Sequence, residues 1–128
     1  MKHITPRGIR VPFARYSHGV EIPPDHRILI CSGQLGIDAL DRVPPTIEEQ
    51  THLCFKNIKA VLAEAGMTFA DVVRINAYVA SRVYLKGYMS VRDQYVEDPP
   101  PASTLMIVLG FSRPEFLVEV EAIAAAPE

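Results

Sequence analysis

The apolar run FLVEVEAIAA, Phe116–Ala125, carries two carboxylates two residues apart. In an extended strand Glu119 and Glu121 point to one face, and Phe116, Val118, Val120 and Ala122 point to the other. Leu117 and Ile123 share the glutamate face, so the carboxylates sit among apolar neighbours. Two carboxylates in a partly dry site repel each other, which is one way a sheet makes a general base or a water-positioning group. A solvated strand edge or a salt bridge between subunits would use the same spacing.

Three other stretches carry groups that could react or bind. CSGQ, Cys31–Gln34, ends an apolar run with a hydroxyl, a residue lacking Cβ and an amide. Backbone exposed at Gly33 can approach a ligand closely, although an ordinary strand exit reads the same way. In ARYSHGV, Ala14–Val20, alternation puts Tyr16 and His18 on one strand face. Tyr16 would be a pocket wall with a polar tip, and His18 an acid or base near neutrality, or a structural or exposed histidine. DPPPASTLMIV, Asp98–Val108, joins three prolines to an apolar run and sets Ser103 at the mouth of the strand.

The elements that must hold these groups follow from periodicity. Arg27–Gly36 reads as a strand, and Tyr16–Ile22 could pair with it across the turn Pro23–His26. TIEEQTHLCFKNIKAVLAEAG is the clearest helix. Thr46 caps it, Glu49 completes a capping box, and Gly66 stops it. Leu53, Ile58, Val61, Leu62 and Ala65 form its expected apolar face. Val72–Ala80 alternates as a strand, with Val73, Ile75, Ala77 and Val79 on one face and Arg74, Asn76 and Tyr78 on the other. Val83–Val96 is a weaker helix, with Leu85, Tyr88 and Met89 inward and Lys86, Arg92 and Asp93 outward. Strands Thr104–Leu109 and Phe116–Ala124 follow, separated by GFSRPE. The order β-β-α-β-α-β-β predicts an α+β fold with one sheet and two helices packed on one face. Tyr78, Leu117 and Ile123 on the other face then call for a cover, most economically a second subunit.

Composition narrows the classes. The chain has 128 residues, so residues 1–128 read as a single domain. Hydrophobic residues are 48%, charged residues 22%, and the net charge is −2. That balance argues against a nucleic-acid or anionic-membrane surface. Cys31 and Cys54 lie far apart in apolar segments and read as buried reduced thiols. No stretch has signal-peptide character or membrane-spanning length, so a cytoplasmic location is the expectation. GxSxG, HExxH, a phosphate-binding glycine loop and a metal-spaced histidine cluster are all absent from the sequence, so no metal site is expected.

Taken in order, Tyr16 in RYSHGV, Ser32-Gly33-Gln34, Gln50 and Asn57-Ile58, Ala65-Gly66, Pro101-Ala102 and the closing EVEAIA resemble the Rid family (reactive intermediate deaminase; YjgF/YER057c/UK114, endoribonuclease L-PSP-like) over nearly the whole chain. The resemblance implies a chorismate-mutase-like fold and a homotrimer with a ligand cleft between subunits. It implies hydrolysis of reactive enamines and imines to a 2-oxo acid and ammonia, without a cofactor. Residue by residue, it implies substrate binding by Tyr16, Ser32, Gly33 and the backbone at Leu105. Glu119 would handle the water, with Glu121 as its neighbour. Two positions depart: the deaminase arginine after Pro-Ala is Ser103, and the helix asparagine is Met89. An arginine fork holds a carboxylate by two charge-assisted bonds that serine cannot supply.

Three functions stay open on this footing. The chain is a hydrolase with an altered small-molecule substrate, a non-catalytic trimer that binds a small metabolite, or an RNA-cleaving protein. In the first case either the substrate lacks a carboxylate or another arginine, such as Arg15 or Arg113, reaches the cleft.

Overall fold

The structure is a computed structural model describing residues 1–128. Four strands form the main sheet in the order β3–β6–β4–β5. They are β3 (His26–Leu35), β4 (Val72–Val79), β5 (Ala102–Ile107) and β6 (Val118–Pro127). Helix α1 (Ile47–Glu64) links β3 to β4, and helix α2 (Leu85–Arg92) links β4 to β5. β4 and β5 are parallel and joined through a helix; β6 runs antiparallel between β3 and β4. Both helices pack on one sheet face, as the expected α+β architecture requires.

Alternation sorts the inner strands. On β6, Val118, Val120, Ala122 and Ala124 are buried under the helices. On β4, Ile75, Ala77 and Val79 join them. The opposite face is open and partly apolar: Ile28, Ile30 and Met106 are 58%, 76% and 53% exposed there. The expected bare sheet face is therefore present.

Several local expectations need correction. Tyr16–Ile22 does not pair with β3. A short β2 (Gly19–Glu21) pairs instead with β1 (Lys2–Ile4), a strand that sequence periodicity does not announce. Pro23 and Pro24 lack the N–H groups that would close a hairpin onto β3, and Asp25 takes φ 63° at the turn. Helix α2 is shorter than Val83–Val96, beginning with a single 3₁₀ turn at Arg82–Tyr84. Thr46 does cap α1 through the Glu49 amide, but the reciprocal half of a capping box occurs elsewhere, between Thr68 and Asp71. The buried stripe of α1 runs through Ile47, Thr51, Cys54, Phe55, Ile58 and Leu62, leaving Leu53 at its margin. Arg92, expected outside, is buried with 1% exposure. It stands in the stripe Leu85–Tyr88–Met89–Arg92, and helical spacing outweighs its charge.

Gln50 joins α1 to the segment before β6. Its Nε2 donates to the carbonyls of Pro44 and Glu115, both at 2.9 Å, and its Oε1 accepts from the Leu117 amide at 2.9 Å. A Cβ at Gly36 would come within 2.8 Å of the Gln50 Cα, so glycine alone lets the chain leaving β3 pass the helix. Gln50→Leu keeps the volume but orphans one amide and two carbonyls. Each unsatisfied buried group costs about 1–3 kcal/mol, so a loss of about 3 kcal/mol is expected in urea unfolding. A loss below about 1 kcal/mol would show that water replaces the amide.

Candidate functional site

The N-terminal segment is laid along the start of β5 by its own backbone. The Ser17 amide donates to the Pro101 carbonyl at 3.0 Å, and its Oγ donates to the Pro100 carbonyl at 2.7 Å. Ser17 thereby forms an isolated parallel bridge with Ala102. The residues flanking this bridge, Tyr16 and Ser103, line one cavity of about 400 Å³. Phe13 and Ala14 complete its N-terminal wall, Leu105 adds to the β5 wall, and Leu85, Tyr88, Met89 and Arg92 form the α2 wall. The Tyr16 hydroxyl accepts from the Phe13 amide at 3.2 Å, which folds this wall back on itself. His18 packs edge-on to Tyr16 with ring centres 5.9 Å apart, and its Nε2 lies 2.7 Å from the Arg10 carbonyl.

Ser103 and Leu105 pair in register with Ile75 and Ala77, so they share the helix-covered face. Glu119 and Glu121 pair with Tyr78 and Asn76 on the open face. One chain therefore places Tyr16, Ser103 and Leu105 together and sets Ser32, Gly33, Glu119 and Glu121 apart from them.

The two carboxylates have different surroundings. Glu121 Oε1 accepts from the Tyr78 hydroxyl at 2.7 Å and from Asn76 Nδ2 at 3.3 Å. Asn76 Oδ1 in turn accepts from Arg74 Nε, and Arg74 Nη2 donates to Thr104. This network ties β5, β4 and β6 across the open face. Donating to Glu121 raises the Tyr78 phenol above its ordinary value. Glu119 stands outside the network and lies against Gly33, where a Cβ would fall 2.7 Å from its Oε2. Ser32 and Gly33 fall in the register break between Cys31 and Gln34, so they have no partner on β6. The Ser32 carbonyl accepts from Gln34 Nε2 at 3.3 Å, and the Glu119 carboxylate adjoins Gly33 at this bulge.

Within one chain, Arg15 and Arg113 stand away from the cavity. Arg15 donates to the carbonyls of Asp93 and Val96, at 2.9 and 3.2 Å. Arg113 pairs with Asp41 at 3.1 Å. Neither lines the cavity; Arg92, which sequence reasoning missed, does. Its signal was the spacing Leu85, Tyr88, Met89, Arg92. No three His, Cys, Asp or Glu side chains gather as a group that could hold a metal, and no helix is long and apolar enough to cross a membrane.

A family model described as endoribonuclease L-PSP matches residues 9–126. A RutC family protein of Saccharolobus solfataricus is 35% identical over 115 residues, which span 88% of this chain and 88% of that protein. Among solved structures, the Rid family protein YyfB of Yersinia pestis, itself of unknown function, superposes with a TM-score of 0.84 at 30% identity over 98% of each chain. Rv2704 of Mycobacterium tuberculosis, a YjgF/YER057c/UK114 family member, superposes with a TM-score of 0.70 at 30% identity, covering 87% of this chain and 86% of that one.

Both cysteines are free and buried. Burial raises the Cys31 thiol, and burial, reinforced by the charge of Glu119, pushes Cys54 up to about 12. A raised thiol pKa leaves less thiolate at neutral pH, and thiolate is the nucleophile. Iodoacetamide at neutral pH should therefore label folded Cys31 at least about tenfold more slowly than free cysteine and leave Cys54 unlabelled. Both should react promptly in denaturant. Mass mapping checks this, and labelling of folded Cys31 at the free-cysteine rate would contradict it.

Proposed function

The chain belongs to the Rid family of YjgF/YER057c/UK114, endoribonuclease L-PSP-like proteins, and on that footing we propose that it is a cofactor-independent hydrolase of the enamine/imine deaminase type with an altered substrate range. It acts in a cleft between subunits of a homotrimer, with residues 1–128 as its single domain. The observation that supports this best is the placement of Glu119: a carboxylate outside the Glu121 network, held against Gly33 at the register break of β3.

The two half-sites explain why a second chain is needed. The cavity of Tyr16, Ser103 and Leu105 binds substrate, and Glu119 of the adjoining copy faces it. Ile28, Ile30 and Met106 on the open sheet face are apolar surface for that contact. In the reaction Glu119 takes a proton from water as the water oxygen bonds to the C=N carbon, and returns that proton to the nitrogen, which takes up the C=N electron pair. Glu119 then accepts the hydroxyl proton of the carbinolamine and passes it to the amine, so that ammonia leaves and a carbonyl remains. Backbone N–H groups at Gly33 and Leu105 receive the charge that develops.

A second reading, a non-catalytic trimer that binds a small metabolite, is favoured by Ser103 standing where the deaminases keep an arginine. The RNA-cleaving reading has the family description alone behind it, against a net charge of −2.

The test is ammonia release from imines generated in situ by an amino-acid oxidase, with single-stranded RNA as a parallel substrate. General acid–base groups contribute about 10²–10⁴-fold, so Glu119→Gln should lower imine hydrolysis by at least about a hundredfold with the fold intact. A wild-type protein inert on every imine defeats the hydrolase reading, and RNA cleavage without imine hydrolysis replaces it. Light scattering should give the mass of three chains; a monomer defeats the intersubunit site.

A further inference from the structure

Arg92 is an unusual residue to bury. Its side chain retains 2% exposure, yet its sole carboxylate partner is Asp93 Oδ1 at 3.3 Å, on a side chain 42% exposed. Its Nη2 donates to the Arg15 carbonyl, which accounts for one edge of the guanidinium. Its Nε–H has no partner at all. Arginine is almost never fully buried unless paired, because a desolvated charge is costly without compensation.

A second orphan lies beside it. The Tyr88 hydroxyl is buried and also lacks a partner. Its ring stacks on Phe55 at 6.4 Å, so packing holds the phenol in place. Burial raises the phenol well above its ordinary value, which keeps it a donor. Tyr88 and Arg92 stand one helical turn apart on α2, and both line the cavity that Ser103 faces. Two orphaned donors in one wall, one of them on a cation, describe a place that lacks an acceptor. The rest of that wall, Phe13, Leu85, Met89 and Leu105, is apolar.

We propose that Arg92, Tyr88 and Ser103 form the carboxylate-binding end of this cavity, so that the chain takes small carboxylic acids with an apolar tail. This deepens the reading of the cavity as the substrate half-site, on which it rests. The guanidinium comes from α2 rather than from position 103 of β5, and the small serine leaves room for the anion and one more hydroxyl. The two orphaned atoms are covered by the wall, so the acid engages them by displacing part of it. Flexible Met89 and Phe13, which is 80% exposed, are the side chains that can move. The cavity size suits a small ligand. A purely structural Arg92, clamping α2 to the N-terminal segment, would explain the bond to Arg15 but not the two orphans.

The experiment is calorimetric titration of the 128-residue chain with hexanoate and with neutral hexanamide. A bond to a charged group is worth about tenfold or more, so hexanoate should bind at least about tenfold tighter than hexanamide. Arg92→Gln should abolish that preference, Arg92→Lys should keep part of it, and Tyr88→Phe should weaken hexanoate binding severalfold. Circular dichroism follows the fold of each variant. By NMR, hexanoate should shift one arginine Nε–H resonance, the one missing in Arg92→Lys. Equal binding of acid and amide overturns the proposal, as does a folded Arg92→Gln with unchanged hexanoate affinity. If Arg92→Gln does not fold, Tyr88→Phe and the Nε–H shift decide: no effect on either overturns it. Binding through Arg92 without imine hydrolysis supports this proposal while the hydrolase reading fails, and hydrolysis without Arg92-dependent binding overturns this one alone.

Discussion

A residue in a strand shows its side chain to one face of the sheet, and β6 is an inner strand whose two faces differ completely. Val118, Val120, Ala122 and Ala124 must face the helices because nothing else covers them. A register slip of one residue would drive Glu119 and Glu121 into that core. The apolar set therefore fixes the carboxylates on the open face. The same alternation on β4 and β5 sends Ser103 and Leu105 to the helix side. What a single chain can never do is bring Glu119 around the sheet to the cavity. The separation of Glu119 from the cavity is a direct consequence of the core.

Helix α2 depends on its surroundings more than on its sequence. Eight residues are too few for a stable isolated helix, and Gly87 weakens it further. Its position comes from stacking around Phe55, whose ring lies 4.9 Å from Tyr95 and 6.4 Å from Tyr88. It comes also from two arginines. Arg15 caps the carbonyls past the helix end, where a cation is favoured, and Arg92 reaches back to the carbonyl of Arg15. The N-terminal wall of the cavity and its α2 wall are thus fixed to each other by reciprocal arginine–carbonyl bonds.

The fold is legible in the sequence where residue type and spacing agree. α1, β4 and β6 have both a period and a matching composition, and they lie within a few residues of their expected bounds. Where type and spacing disagree, type misleads. Charge alone sends Arg92 to solvent, although its spacing from Leu85 and Tyr88 places it inside. Apolarity alone sends Leu53 to the core, although Cys54 and Phe55 occupy the buried stripe. The pairing of β1 with β2 is illegible because three-residue strands carry too little pattern to fix a partner. Glu119 and Gly33 are each legible as single residues. Their contact is not, since it arises from a register break between β3 and β6 that alternation alone does not announce.

The departure at position 103 and the burial of Arg92 belong to one arrangement. An arginine at 103 would project from β5 into the cavity that Arg92 already lines. Two guanidiniums in a mostly apolar pocket repel, and neither could shed its charge to relieve the strain. The chain therefore holds one cation in that space, and it stands on the helix. A guanidinium on β5 is anchored by a ladder on β4; one on α2 is anchored through Tyr88, Phe55 and the N-terminal segment. The Arg92 guanidinium is thus positioned by the helix and the N-terminal wall, so substitutions in Phe55 or Arg15 act on its placement, while Glu119 on the opposite face keeps its place.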